Sequence, residues 1–167
     1  MNSGKRDEGS PGWDAEVARV QAVERLMAEF AYRIDFEQGL KIAELFAPNG
    51  YYELDGKRST GRAAIHEAYV RRAARGPRTA RHLFTNVRVV RLPGGKYGAT
   101  AIMLLFARDG DGVHPAVPLS VSDVTDVYAL DGQSAGDGLP LIESRTLRTV
   151  FADENNPQVL PLGHETA

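Results

Sequence analysis

Val20, Val23, Met27, Phe30 and Ile34 recur at three- and four-residue intervals, while Arg19, Glu24 and Arg25 fall largely off that line. One apolar stripe on this period predicts an amphipathic helix over about residues 14–34, with Asp14 as its N-cap. Leu40, Ala43, Leu45 and Phe46 predict a second, shorter helix over about 37–46, ended by Pro48-Asn-Gly50. Tyr51–Leu54 reads as a short strand closed by the turn Asp55-Gly56. Ile65, Ala68, Tyr69 and Ala73 carry a third helix over about 61–75, capped by Ser59 or Thr60 and stopped by Gly76-Pro77. Beyond it the period becomes that of strands. Arg78–Leu92, Tyr97–Arg108, Val117–Leu130 and Leu139–Ala152 are separated by Pro93-Gly-Gly95, by Asp109-Gly-Asp-Gly112 and by a Gly-rich loop at 131–138.

Three N-terminal helices followed by hairpin-linked strands imply an α+β fold with an antiparallel sheet. The strands run to about 12 residues against a usual ~5–6. Strands of that length curl strongly, and a curled sheet with helices over one face makes a cavity reasonable. The loop over 109–118, with Pro115 and Pro118, either folds over such a cavity or stays outside it.

Composition narrows the function without naming it. The 167 residues fit one domain, about 14–153, with a disordered lead over 1–13 and a tail over 154–167. The lead has no apolar core of the kind a signal peptide needs, and no apolar run approaches the ~20 residues of a membrane span. A net charge of −2 gives no reason to expect a nucleic acid or an anionic membrane as partner. The chain has no cysteine, which removes disulfides and thiolate chemistry and fits a cytoplasmic protein. Four dispersed histidines show no metal-ligand spacing, and no phosphate-cradling glycine motif or nucleophile elbow occurs. No metal and no cofactor are expected.

The candidate chemistry rests on His82 and Asp35. His82 opens the first long strand and Asp35 ends the first helix. A carboxylate accepting from one imidazole nitrogen fixes the tautomer and leaves the other nitrogen as a general base. The bland alternative is that Asp35 caps the second helix and His82 is a structural histidine. Asn86 shares a strand face with His82 and Phe84 by simple alternation. Tyr32, Tyr51, Tyr52, Tyr69 and Tyr128 are candidate pocket hydroxyls or core aromatics. His66 reads as solvated, His114 as a loop residue and His164 as part of the tail. Arg145 and Arg148 stand on opposite faces of the last strand, so only one can face inward.

Several stretches together resemble the SnoaL-like branch of the nuclear transport factor 2 superfamily. They are Phe30-Ala-Tyr-Arg-Ile-Asp35, Ile42–Gly50, Gly61-Arg-Ala-Ala-Ile65, Thr79–Asn86 and Ile142–Arg148. The resemblance covers about residues 15–152. It implies a cone: a strongly bent antiparallel sheet with three helices closing a pocket. Scytalone dehydratase, hexachlorocyclohexane dehydrochlorinase and bile acid 7α-dehydratase look most similar at the pocket, and all use an Asp–His pair. Asp35 stands thirteen residues before Pro48, as their Asp does, and His82-Leu-Phe-Thr-Asn86 resembles the dehydrochlorinase pattern. Glu143-Ser-Arg-Thr-Leu-Arg148 resembles the bile acid enzyme and nominates Arg148 as the inward cation. The chain departs from these enzymes in having Phe30 where the bile acid enzyme has Tyr. It also has no histidine on the strand 101–106, where scytalone dehydratase has one.

The resemblance implies a catalytic set of His82, Asp35 and Arg148. Tyr32, Phe30, Tyr52, Asn86, Tyr69 and Phe84 are the candidate substrate contacts. The expected activity is cofactor-independent dehydration or another β-elimination on a small hydrophobic molecule. Alternatives are an isomerase or polyketide-type cyclase using the same base, or a ligand-binding dimer module without catalysis. A homodimer packed through the outer sheet face, or a trimer, is the expected assembly.

Overall fold

A computed structural model describes the backbone of residues 11–135 and 138–153, and the side chains of 15–129 and 138–153. The expected tail at 154–167 and most of the expected lead lie outside the described residues. The elements are α1 (Pro11–Glu37), β1 (Phe46–Leu54), β2 (Lys57–Thr60), α2 (Gly61–Ala73), β3 (Arg78–Arg91), β4 (Tyr97–Asp109), β5 (Ser120–Ala135) and β6 (Leu139–Ala152). The sheet order is β2-β1-β6-β5-β4-β3. This is α+β with a mixed sheet: every neighbouring pair is antiparallel except β1 and β6, which run parallel. Among the described residues no helix is long and apolar enough to cross a membrane.

The stripe on α1 is the one the pattern predicts. Val23, Met27, Phe30 and Ile34, joined by Leu26, are buried against the sheet. Each such burial stabilises by roughly 1.5–3 kcal/mol. The helix starts at Pro11, so Asp14 lies inside it and not at its cap.

The second expected helix is not formed. Gln38 and Gly39 both take left-handed backbone, φ 60° and 77°, which ends α1. A Cβ at position 39 would lie 2.2 Å from the ring of Tyr69, so glycine is required there on steric grounds as well. Arg33 then ties the helix end to the segment after it, bonding Glu29, the Lys41 carbonyl and Glu44. Ile42–Leu45 makes a single 3₁₀ turn, and Phe46 already begins β1. Of the apolar residues that suggest a helical face, Ala43, Leu45 and Phe46 are buried by a turn and a strand instead, and Leu40 is exposed.

Three further departures concern the sheet. Asp55-Gly56 turns the chain into β2, a strand the pattern does not reveal. Parallel pairing of β1 with β6 is invisible to local periodicity, because α2 and four strands intervene. β5 extends to Ala135, through most of the loop expected at 131–138; residues 136–137 lie outside the described residues.

Beneath the helices the sheet carries a buried ion pair. Arg145 and Asp126 face each other across β6 and β5, and both side chains are 0% exposed. Arg145 Nη2 donates to Asp126 Oδ2 at 2.6 Å, and Nε donates to Oδ1 at 3.0 Å. The Tyr128 hydroxyl donates to the same carboxylate. Burial alone would lower the Arg145 pKa; the field of Asp126 and its hydrogen bonds reverse that, and the net shift is upward. The guanidinium lies 4.1 Å from the centre of the Phe30 ring and 5.1 Å from that of Phe84.

Removing one member of such a pair strands the other charge. Asp126→Ala is expected to cost about 3–5 kcal/mol. Asp123→Ala, at an exposed pair with Arg148, should stay within about 1 kcal/mol. Equilibrium denaturation of both variants checks this. Equal costs would show that the buried pair does not anchor the sheet.

Candidate active site

The end of the sheet where β3 and β5 begin and β4 and β6 finish carries a cavity of about 250 Å³. That is just under the ~300–1,000 Å³ usual for small-molecule sites, so its occupant is small. Met103, Leu105, Leu147 and Ile34 supply apolar wall; Tyr52 and Tyr69 add aromatic faces, and His82 stands among them. Ile34 comes from α1, Tyr52 from β1, Tyr69 from α2, and the rest from β3, β4 and β6. No residue of the loop 109–118 lines this cavity.

Asp35 sits in the last turn of α1, where the helix dipole disfavours a carboxylate. The start of β3 compensates. The His82 backbone N–H donates to Oδ2 at 2.8 Å, and His82 Nδ1 lies 2.6 Å from Oδ1. One carboxylate thus holds both the main chain and the ring of one residue. The side chains are 5% and 10% exposed, which keeps water from screening the contact. An ionised carboxylate only accepts, so Nδ1 carries the proton and Nε2 is the basic nitrogen. Among the described residues Nε2 has no hydrogen-bond partner, and His82 lines the cavity.

The other nominated residues divide into three groups. Tyr52 and Tyr69 line the cavity with His82. Phe30 and Phe84 lie in the core behind it. Phe30 stacks on Tyr52 with centroids 6.3 Å apart and meets Phe84 edge-on at 6.2 Å. They support the wall without lining it.

Tyr32, Asn86 and Arg148 do not face the cavity. Tyr32 is 51% exposed and packs on Phe36 along the outer surface of α1. Asn86 takes φ 53° where the register of β3 against β4 shifts, between Thr85 and Arg88. That bulge breaks the alternation: Phe84 packs inward, then Val87 and Val89 do, and Asn86 is exposed. Arg148 points outward, its side chain 76% exposed and 3.0 Å from Asp123. Arg145 is the inward arginine of the last strand, held in the core by Asp126. The choice between them depends on which face of β6 is covered, and alternation cannot supply that.

Several polar residues on the cavity wall escape a reading of the sequence. Arg72, Arg75 and Arg78 line it where α2 gives way to β3. Their three-residue spacing is visible in the chain, but the meeting of helix end and strand start is not. Ser122 and Thr149 line it from β5 and β6. Asp55 lines it too, accepting from the Thr149 backbone N–H at 2.7 Å and from its hydroxyl at 2.8 Å. His66 is exposed, as expected, with its Nδ1 3.0 Å from the Leu40 carbonyl oxygen. Among the described residues no group of three His, Asp or Glu side chains is placed to hold a metal ion.

Known proteins give the fold its place. No curated protein sequence matches the chain significantly. The chain is similar to the solved structure of a candidate scytalone dehydratase from Novosphingobium aromaticivorans, with 20% identity and a TM-score of 0.70, over 85% of this chain and 91% of that one. It is also similar to ActVI-ORFA from Streptomyces coelicolor, with 19% identity and a TM-score of 0.65, over 78% and 96%. An NTF2-like protein with a cystatin-like fold from Novosphingobium aromaticivorans gives 18% identity and a TM-score of 0.66, over 95% and 99%. At these identities the likeness establishes the fold, which is NTF2-like. Residues 15–139, which run from the first turns of α1 through β5 and carry Asp35, His82 and both cavity tyrosines, match the SnoaL-like domain model, and the chain belongs to that family.

Proposed function

We propose that the cavity carries out cofactor-independent acid–base chemistry on a small hydrophobic molecule, with dehydration or another β-elimination as the reaction. The observation that carries this reading is the Asp35–His82 pair at 2.6 Å, on the wall of a mostly apolar cavity. Nε2 removes a proton beside a carbonyl, and the electron pair passes through the enolate to expel a β-hydroxyl. The imidazolium returns that proton to the departing hydroxyl, so water leaves and the histidine is neutral again. Asp35 stays ionised throughout and steadies the imidazolium. With Arg148 turned outward, the donor for the enolate oxygen is a phenol, Tyr52 or Tyr69.

Both phenols keep their protons well into the alkaline range. Burial pushes the Tyr52 pKa up, Arg145 and Arg72 pull it back, and it settles at about 12. Tyr69 is raised well above its ordinary value, by burial first and then by Tyr52. A neutral phenol is the form that can donate to an enolate.

A panel of aromatic β-hydroxy ketones, monitored by the absorbance of the conjugated enone, should contain a substrate. His82→Ala should lower its kcat/KM by roughly 10²–10⁴, and Asp35→Asn should lower it without displacing the ring. Turnover unchanged in His82→Ala would place the base elsewhere. Dependence on His82 with a rearranged or cyclised product and no loss of water would move the reaction to an isomerase or cyclase.

The buried phenol also makes stability depend on pH. The Tyr52 pKa is raised above the unfolded value of about 10, so its contribution to stability is complete below that pH. The contribution is lost as pH rises from about 10 toward about 12. Denaturation midpoints across this window should fall more steeply for the native protein than for Tyr52→Phe. Parallel slopes would argue against a buried protonated phenol.

A further inference from the structure

Arg72, Arg75 and Arg78 line the same cavity as His82, and all three also border a more polar neighbouring recess of about 470 Å³. The charge of Arg72 is felt by both Tyr52 and Tyr69. The Arg78 side chain is only 14% exposed. Burial lowers its pKa, Asp109 raises it, and Arg72, Arg75 and Arg108 press it down again. Like charges are therefore held together in a partly dry place, which is unfavourable unless an anion joins them.

The protein's own carboxylates do not discharge the group. Asp109 meets Arg78 at 3.4 Å. Asp35 is engaged by His82, Asp55 by Thr149, and Asp153 by Arg108. Asp111 borders only the outer recess. Among the described residues no carboxylate pairs with Arg72 or Arg75. The C-terminal end of α2 favours cations, which accounts for Arg71 and Arg72 in its last turn. It does not account for Arg75 and Arg78, which lie beyond the helix.

An apolar chamber with a cationic end selects an amphiphilic anion. We infer that the ligand of this cavity is a small hydrophobic carboxylate. Its apolar body lies against Met103, Leu105 and Leu147, and its carboxylate is held by Arg72 and Arg75 beside Arg78. Fork-shaped guanidinium groups match a planar carboxylate through paired hydrogen bonds. The inference rests on the acid–base reading for the identity of the site and adds the substrate class, but its test is binding and needs no turnover.

The experiment is isothermal titration of the full chain with naphthylacetate, phenylpropionate and decanoate, each compared with its methyl ester. At least one acid should bind about tenfold or more tightly than its ester at low salt. That advantage should shrink at ~0.5 M salt. It should vanish in the Arg72→Gln, Arg75→Gln double variant and fall partly in Arg75→Gln alone, an exposed position where folding is not at risk. His82→Asn should keep the preference, so loss of turnover there bears only on the acid–base chemistry. The inference is overturned if no acid is preferred over its ester. It is equally overturned if the preference is unmoved by Arg75→Gln or survives in the double variant.

Discussion

The Asp35 carboxylate is the tie on which the rest of the site depends. It joins the last turn of α1 to the start of β3 through two contacts with one residue, 2.8 Å to the backbone N–H and 2.6 Å to the ring. The two contacts have different effects. The backbone contact sets where the helix end meets the sheet, and the ring contact sets which imidazole nitrogen is left free. A carboxylate at a helix C-terminus is locally unfavourable, so the sequence retains it against its own helix. Both donors come from His82, and the cost is offset only when α1 and β3 are docked.

A second buried pair supports the floor below this tie. Arg145 and Asp126 lock β6 to β5, and the guanidinium covers Phe30 and Phe84. Phe30, edge-on to Phe84, backs Tyr52, and the wall of the cavity thereby rests on a charged pair with no access to water. Pairs of this kind add little net stability over a well-packed apolar core, because desolvation cancels much of their attraction. What they impose is position: the guanidinium has few alternative places where its charge is satisfied. Tyr52 and, edge-on to it, Tyr69 inherit that fixed frame.

The parts of the site that a local rule controls are legible in the sequence. Asp35 and His82 stand at the ends of strongly periodic segments, and a helix stripe with its 3.6 period fixes which face of α1 meets the sheet. The strands β3, β4 and β6 are legible for the same reason. Asn86 defeats simple alternation because one left-handed residue reverses the pattern beyond it, and asparagine is a common residue in that conformation. Arg148 is a wrong choice of inward cation because alternation says two arginines oppose each other without saying which side is covered. The helix expected at 37–46 fails because apolar residues alone do not distinguish a helical face from a buried turn running into a strand. The parallel pairing of β1 with β6 and the gathering of three arginines are both non-local, and no window of sequence contains them.

The overall charge of −2 conceals a segregation that appears only in three dimensions. The acids near the core serve as ties between elements. Asp35 links α1 to β3, Asp126 links β5 to β6, and Asp55 links the β1–β2 turn to Thr149 on β6. Each is consumed by a structural donor. Carboxylates committed to holding strands and helices together are not available to neutralise cations a few residues away. Arg72 and Arg75 are left on the wall of a cavity that is otherwise mostly apolar. The same end of the cavity where an acid from α1 fixes His82 also gathers three arginines, where α2 meets β3. Asp35 and Asp126 thus serve as ties within the scaffold, while Arg72, Arg75 and Arg78 stand together on the wall of the cavity.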